Sequence, residues 1–541
     1  DPDSFMRLVR LQQGFKAGHL VNVVQGDDSG MPLVIEWSRL FDAVIVALAA
    51  PLAPFVGWHR ALYAAGVATG PISAGLLALA LSFAIAPLAK RDFLWAIAIA
   101  APLVPGIHNF DAFGVIHYHI AQPALVALSA GCALRAATGN RKWGLWAGIW
   151  GGFAIWLMPE AMPWALLAFV GLGWAWLFRP IGGTVLASGL GFFVTLGVAL
   201  MLDPPHGGVS VAEVDRLSVV YAALGFAALV TALCLSLIDR ASLSPAQRVS
   251  LGIAAALGSF GAWLWCYPAV ALGPYALASP HDMHAFFGNI TEVQPATKPG
   301  AFGALVGPGL LALLYACWQI YRSRRALPEA GAWGVVAVGA MLASGLTLRF
   351  IIFMPFPASF AVALLPLALR EVSHRFANRP TKAMLARFTV LLSLVLAPTA
   401  SAVTPALFDQ ASENANGPSC DLRHIAPLLL PATGHIVLTD VDYVPELLYR
   451  TGIIGVGSVY QHGIPGFLRD RAAWAAPSAG RTVPQDVTAT GAQFVLFCPT
   501  GKAKAHAESL AGMLRENRTP DWLRLIGEQK TTGFRLYRVV R

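Results

Sequence analysis

The sequence predicts a polytopic α-helical membrane protein with a small α/β domain outside the bilayer at its C-terminal end. Three observations carry this. The chain has 541 residues, of which 56% are hydrophobic and only 12% charged, whereas soluble domains carry roughly 25% charged residues. Its mean hydropathy is +0.60. Apolar runs of about 20 residues recur, each long enough to cross a bilayer core. The runs are continuous rather than alternating, which excludes a β-barrel.

Taken in order, residues 1–37 read as a first external loop, polar and partly amphipathic. The stretch 38–57 is apolar but rich in proline near its end, and it reads as a re-entrant or half-buried segment. Crossings are expected near 73–88, 92–108, 116–137, 143–159, 162–178, 181–202, 219–238, 249–272, 300–321, 331–353, 356–372 and 384–403. Residues 38–403 thus form the transmembrane domain, and 404–541 form the external α/β domain. In that domain, strand-like runs occur at 435–439, 494–497 and 534–540, with helical stretches near 443–450 and 503–516. A further membrane helix is expected ahead of Asp1.

The net charge of +9 does not point to nucleic acid. Lys90 and Arg91, Arg135 with Arg141 and Lys142, Arg179, Arg240 with Arg248, Arg322 to Arg325, and Arg370 with Arg375 occupy alternate loops. By the positive-inside rule those loops are cytoplasmic. The opposite loops hold Asp1, Asp3, Asp111, His117, His119, Glu160, Asp203, Asp215 and Glu292. Chemistry-bearing side chains therefore collect on one face, which predicts a single external cleft. Cys132, Cys234, Cys266 and Cys317 lie in or beside apolar runs and read as packing residues. Cys420 and Cys498 lie in the polar region and would pair if it faces an oxidising compartment.

Several groups are candidates for chemistry. Asp1 and Asp3 are hard oxygen donors suited to Mg²⁺ or Mn²⁺; the other reading is an N-cap on the amphipathic run that follows. His117 and His119, at i and i+2, reach one metal only from extended backbone. Thr291 and Glu292 sit in a Pro-, Gly- and His-rich loop, 273–299, of the mobile kind that closes over substrates. Arg349 lies among Leu348, Phe350, Ile351 and Ile352 and needs an anion, either a phosphate or a carboxylate such as Glu160 or Asp215. Glu160 and Asp215 are cleft linings or water-exposed interface residues. Walker A, dinucleotide-binding and nucleophile-elbow motifs are all missing from the sequence.

In this order the motifs resemble the catalytic subunit of oligosaccharyltransferase and its bacterial relatives, in the GT-C class of glycosyltransferases. That family opens its first external loop with Asp-Pro-Trp-Phe-Asn-Tyr-Arg, and Asp1, Pro2 and Arg7 match at the same spacing. His117 and His119 stand where the family has Asp-His-His, and Thr291 and Glu292 fall in the loop of its Thr-Ile-x-Glu element. Arg349 is on the helix whose arginine binds lipid pyrophosphate there. The resemblance implies the GT-C fold, with about thirteen membrane helices counting one ahead of Asp1. It implies a polyprenyl-linked sugar donor drawn from the lipid bilayer, and a site on the periplasmic face of a bacterial inner membrane. It implies a divalent metal, Mg²⁺ or Mn²⁺, on Asp1, His119 and Glu292. Asp1, Asp3 and Glu292 would be the catalytic carboxylates, with Arg349 and Arg7 on the donor phosphate. Asp3, His119 and Glu292 would be secondary ligands or would orient the acceptor, with His117, His119, Thr291, Glu160 and Asp215 as acceptor or second-loop residues. The family's Trp-Trp-Asp-Tyr-Gly element is missing from residues 404–541, where Tyr460-Gln461-His462-Gly463 is the nearest aromatic cluster. The acceptor implied is thus a lipid, a polysaccharide or a hydroxyl side chain of a protein. A monosaccharide transferase using a polyprenyl monophosphate, and a lipid transporter, are the rival readings.

Overall fold

The computed structural model describes residues 1–27, 33–409, 420–499 and 506–540. They form two compact units. One comprises Asp1–Gly66, Leu277–Ile290 and Ser412–Arg541; the other comprises Val67–Ala276 and Thr291–Ala411.

The second unit is a helical bundle. Among the described residues, nine helices are long and apolar enough to cross a membrane: Trp58–Ala89, Pro159–Phe178, Gly182–Leu202, Val219–Ile238, Pro245–Cys266, Pro299–Arg322, Leu327–Arg349, Ile351–Arg375 and Pro380–Ser401. This is a multi-pass membrane protein. Nine of the twelve expected crossings correspond to these helices. The other three are shorter or broken. Ala121–Ala136 and Arg141–Leu157 have 16 and 17 residues. The stretch expected to cross at 92–108 is split into Trp95–Ala100, a 3-10 turn at Ala101–Leu103 and Pro105–Asp111. Pro102 and Pro105 each lack the N–H that a continuous helix would need there. The first long helix begins earlier than expected, at Trp58, and its 32 residues span about 48 Å. The apolar stretch ahead of it forms two short helices, Arg39–Ala49 and Ala53–Val56, neither of crossing length.

Local sequence explains the helix ends. Pro245, Pro299, Pro355 and Pro380 each open a helix, where the missing N–H costs nothing. Ser244 and Gln247 form a reciprocal capping box. Side chains on the bundle's outer faces are apolar yet exposed, among them Leu257, Trp265, Leu314 and Phe226, as lipid contact requires.

Inside the bundle, small residues allow close approach. Gly144, Gly148 and Gly152 form one stripe along Arg141–Leu157. A Cβ on Gly148 would lie 1.9 Å from the Ser188 carbonyl oxygen of Gly182–Leu202, and one on Gly144 would lie 2.5 Å from that of Thr184. This is the small-xxx-small geometry of membrane helix pairs. Buried and half-buried ion pairs fasten the loops. Arg216, 1% exposed, bonds Asp203 at 3.1 Å, and Asp203 also accepts from the Trp156 indole. Arg248 pairs with Asp239 at 2.8 Å over the Trp176 ring.

Among its described residues the first unit contains seven strands: β1 (Val23–Val24), β2 (Leu33–Val34), β3 (Ile436–Leu438), β4 (Ile454–Gly455), β5 (Phe494–Phe497), β6 (Leu523–Gln529) and β7 (Phe534–Val539). β1 and β2 pair antiparallel. The rest form one mixed sheet in the order β4-β3-β5-β7-β6, parallel across β3, β4 and β5 and antiparallel at β7 and β6. Central β5 is buried along its whole length, as a strand covered on both faces must be. The expected strands at 435–439, 494–497 and 534–540 are β3, β5 and β7. The helix expected near 443–450 is Val444–Arg450, and that expected at 503–516 is Leu510–Arg515; residues 500–505 lie outside those described. Cys420 and Cys498 form a disulfide. The helix Pro280–Phe287 docks on Ile464–Ala475 through Phe286 and Phe467, and Arg471 donates to the Ala285 carbonyl at 3.0 Å. Part of the loop expected to be mobile is therefore tied down.

Candidate metal centre

The second unit brings together three of the predicted side chains. Residues 115–117, between Pro105–Asp111 and Ala121–Ala136, are neither helix nor turn. His117 and His119 turn toward the same carboxylate across a bend at Tyr118 and a turn at His119 and Ile120, rather than from an extended strand. His117 Nδ1 lies 3.9 Å from one Glu292 oxygen and His119 Nε2 lies 3.8 Å from the other. One donor atom from each of the three falls within 4.8 Å of the others. The imidazoles are 4% and 2% exposed and Glu292 is 32% exposed, so the cluster is buried on the histidine side and open on the carboxylate side.

Aromatic packing sets the ring positions. The Phe110 ring lies 5.4 Å from His117 and 4.6 Å from His119, and Tyr118 lies 4.4 Å from His119. Asp111 follows Phe110 but faces His108 at 3.2 Å rather than the cluster histidines. Burial raises its carboxyl above the ordinary value, with His108 opposing.

Glu292 rides on a turn, Thr291–Val293, whose continuation is pinned to the end of Leu327–Arg349. The Ala296 N–H donates to the Leu348 carbonyl at 3.0 Å, and the Ile351 N–H donates to the Gln294 carbonyl at 3.0 Å. Arg349 lies within that pairing. Its guanidinium is exposed, donates to the Tyr275 hydroxyl at 3.2 Å and rests 4.6 Å over the Phe350 ring. Neither Glu160 nor Asp215 is bonded to it, so the carboxylate-partner reading of Arg349 has no support. Thr291 is exposed on the same turn.

Other predicted residues serve elsewhere. Glu160 accepts from Gln122 at 3.5 Å, and Asp215 is a buried neighbour of Arg216 in the loop ahead of Val219–Ile238. In the first unit, Asp1 caps Pro2–Ala17 by accepting from the Ser4 backbone at 3.1 Å and the Ser4 hydroxyl at 2.5 Å. This fits the capping reading. Asp3 accepts from Tyr460 at 3.0 Å, and that phenol is held well above its ordinary range by burial and by the Asp3 charge. Arg7 is 1% exposed, bonds Asp42 at 2.7 Å and lies 4.4 Å over the Trp37 ring, while Arg10 reaches the other Asp42 oxygen at 2.6 Å. The Arg7 guanidinium is thus committed to the packing of this unit rather than presented to a phosphate.

Sequence reasoning missed Phe110, Tyr275, Arg216 and Asp42. The first two are aromatic residues in apolar company and carry no polar signal. Arg216 and Asp42 do carry one, a charge beside an apolar run.

The donor set fits a metal of intermediate hardness. Two imidazoles and a carboxylate suit Zn²⁺ or Mn²⁺ better than Mg²⁺, which prefers an all-oxygen shell.

Neither a protein-family model nor a curated protein matches this sequence. Solved structures do. The archaeal oligosaccharyltransferase AglB from Archaeoglobus fulgidus, in complex with an inhibitory peptide and a dolichol-phosphate, superposes with a TM-score of 0.64 at 14% identity, over 92% of this chain. This chain spans 65% of that one. The Archaeoglobus fulgidus oligosaccharyltransferase in complex with Zn and sulfate gives the same TM-score and identity over 97% of this chain and 75% of its own. ArnT from Cupriavidus metallidurans in the apo state gives a TM-score of 0.36 at 14% identity, too low to bear on the fold. At these identities the likeness is one of fold: the chain is folded like the archaeal oligosaccharyltransferases.

Proposed function

We propose that this protein is a membrane glycosyltransferase that moves a sugar from a polyprenyl-(pyro)phosphate donor to an acceptor on the membrane face opposite its basic loops, the periplasmic face of an inner membrane. The observation that carries the reading is the His117–His119–Glu292 cluster, tied through one backbone pairing to the exposed arginine Arg349. An anion-binding guanidinium beside a metal-ligand set is what phosphate departure requires. The fold likeness supports it, since one of those structures holds a dolichol-phosphate and an inhibitory peptide and another holds zinc and sulfate.

His117, His119 and Glu292 would hold the metal, which when bound supplies a Lewis-acid centre for phosphate oxygens. Arg349 holds the donor phosphate through charge-assisted hydrogen bonds. Asp1 is the catalytic carboxylate, on its match to the family's first loop, and receives the acceptor's proton. The bond from the sugar C1 to the donor phosphate oxygen breaks, and the bond from C1 to the acceptor oxygen forms. The phosphate leaves as an anion on Arg349. Thr291 orients the acceptor.

The test is transfer of radiolabelled sugar from membrane-extracted polyprenyl-linked donors by the purified protein. EDTA and Glu292→Gln should each abolish transfer. Arg349→Gln should lower kcat by roughly 10²–10³-fold, as loss of a group that stabilises developing charge does. Asp1→Asn keeps the cap, because asparagine caps a helix as well as aspartate, and should still lose transfer. Activity that survives both EDTA and Glu292→Gln would rule the reading out.

A further inference from the structure

The bundle contains a second feature that the metal cluster does not use. A cavity of about 1270 Å³ opens between the helices of the second unit. Ligand pockets for small molecules run to roughly 300–1,000 Å³, so this one exceeds their range. Its walls are apolar, with Ile85, Ala130, Leu167, Val336, Phe360 and Leu367 among them. Along Met162–Phe178 it is lined from Trp164 to Phe178, a depth of about 21 Å at 1.5 Å per residue. That exceeds one leaflet of a roughly 30 Å core.

One end of the cavity is basic. Arg179, Arg322, Arg370 and Arg375 line it, against Glu329 and Glu371. Arg322 is paired with Glu371, and Arg370 lies 3.4 Å from Asp92. Arg179 reaches only the Ala137 carbonyl, at 3.5 Å, and Arg375 has no partner among the described residues. Among the described residues, two guanidiniums thus stand at the mouth of an apolar cavity with no carboxylate bonded to either. Trp174 and Trp318 flank them, side chains that favour the headgroup level of a bilayer.

This end is not the phosphate end of the proposed transfer site. Pro328 and Glu329 line it and belong to the first turn of Leu327–Arg349, whose last residue is Arg349. The two ends of that helix are about 32 Å apart. A phosphate bound at the cavity mouth therefore lies on the opposite membrane face from Arg349.

We infer that this cavity is a binding site for a two-chain phospholipid with an anionic headgroup, drawn from the leaflet on the arginine side. The phosphodiester would sit on Arg179 and Arg375, and the acyl chains would fill the apolar shaft. Basic pockets between membrane helices are a known mode of anionic lipid recognition, and the charge, depth and wall chemistry here match it. The inference does not depend on the transferase reading.

The test uses the full-length protein, purified and delipidated in detergent, in native mass spectrometry. Phosphatidylglycerol is compared with phosphatidylcholine of the same chains, inorganic phosphate and a polyprenyl phosphate. One phosphatidylglycerol per chain should be retained at least tenfold more tightly than phosphatidylcholine. The exposed pair Arg179→Gln and Arg375→Gln should abolish that preference. Gly171→Phe should exclude both lipids, since a Cβ at Gly171 meets nothing closer than Val335 at 4.0 Å and the ring would point into free space. Equal retention of both phospholipids, or retention unchanged in the arginine double variant, would overturn the assignment. So would one-for-one displacement by polyprenyl phosphate, which would make the cavity a donor-tail tunnel, or saturation by inorganic phosphate alone.

Discussion

At the scale of single residues, the chain places charge where it is costly and then commits it. Arg7, Arg10 and Asp42 are each 1% exposed, with each guanidinium on one Asp42 oxygen, and truncating one would strand a buried charge. Asp470 is a different case. It is 2% exposed, its Oδ2 has no hydrogen-bond partner, and Asp440 and Asp27 lie near it. Burial, reinforced by those carboxylates, raises its carboxyl well above the ordinary value. A raised carboxyl favours the folded state only while it holds its proton. Its contribution is complete below the unfolded value near 4. It is lost as pH rises from there to the raised folded value, by about 1.4 kcal/mol for every tenfold fall in proton concentration. Thermal unfolding followed between pH 4 and 8 should show a decline that Asp470→Asn flattens, with the variant the more stable at neutral pH. A variant that tracks the wild type across that window would show Asp470 to be ionised when folded.

At the scale of elements, glycine placement decides which helices can touch. The Gly148 Cα sits so close to Gly182–Leu202 that a methyl group there would overlap the Ser188 carbonyl. Backbone cannot move aside as a side chain can, so Gly148→Ala should cost about 1–3 kcal/mol through overpacking. Gly173, with nothing within 4 Å of its Cβ position, is the control. Alanine there should be neutral or stabilising, because a helix interior prefers alanine to glycine by about 1 kcal/mol. Thermal melts of the two variants in detergent separate the outcomes, and equal melting temperatures would remove the stripe from the packing argument. The stripe is written in the sequence at four-residue spacing, yet it does not stand out, because every residue around it is equally apolar. Hydropathy finds helices but does not say which face of one meets another.

At the scale of the whole molecule, the long crossings were legible because twenty apolar residues in water have few alternatives. The expectation of a continuous helix failed where proline intervened, at 92–108, while the helices at two further expected crossings, Ala121–Ala136 and Arg141–Leu157, are shorter than the rest. In the C-terminal region β3, β5 and β7 stood out as apolar runs. β6 did not, because Arg524, Glu528 and Gln529 give it the composition of an exposed edge. The candidate site was legible in part. His117, His119 and Glu292 were marked by residue type, and their grouping followed from loop sidedness alone, not from spacing. Tyr275 beneath Arg349 and Phe110 beside the imidazoles left no trace, because a structural aromatic and a site aromatic look alike in a sequence this apolar.

The backbone pairing of residues 294 and 296 with 351 and 348 has a thermodynamic consequence. Two backbone hydrogen bonds join the segments that carry Glu292 and Arg349, through which occupancy of either side chain would bias the position of the other. Binding free energies linked in this way are reciprocal. Whatever factor a bound phosphate adds to metal affinity, bound metal must add to phosphate affinity. Calorimetric titration of Mn²⁺ with and without dolichyl phosphate, and of dolichyl phosphate with and without Mn²⁺, should return one common factor, within roughly 5–150-fold. Ala296→Pro deletes the N–H that bonds Leu348 and should bring that factor toward unity while each ligand still binds alone. On the transferase reading proposed above, the protein would then lose synchrony rather than affinity, taking up a donor before its metal was in place.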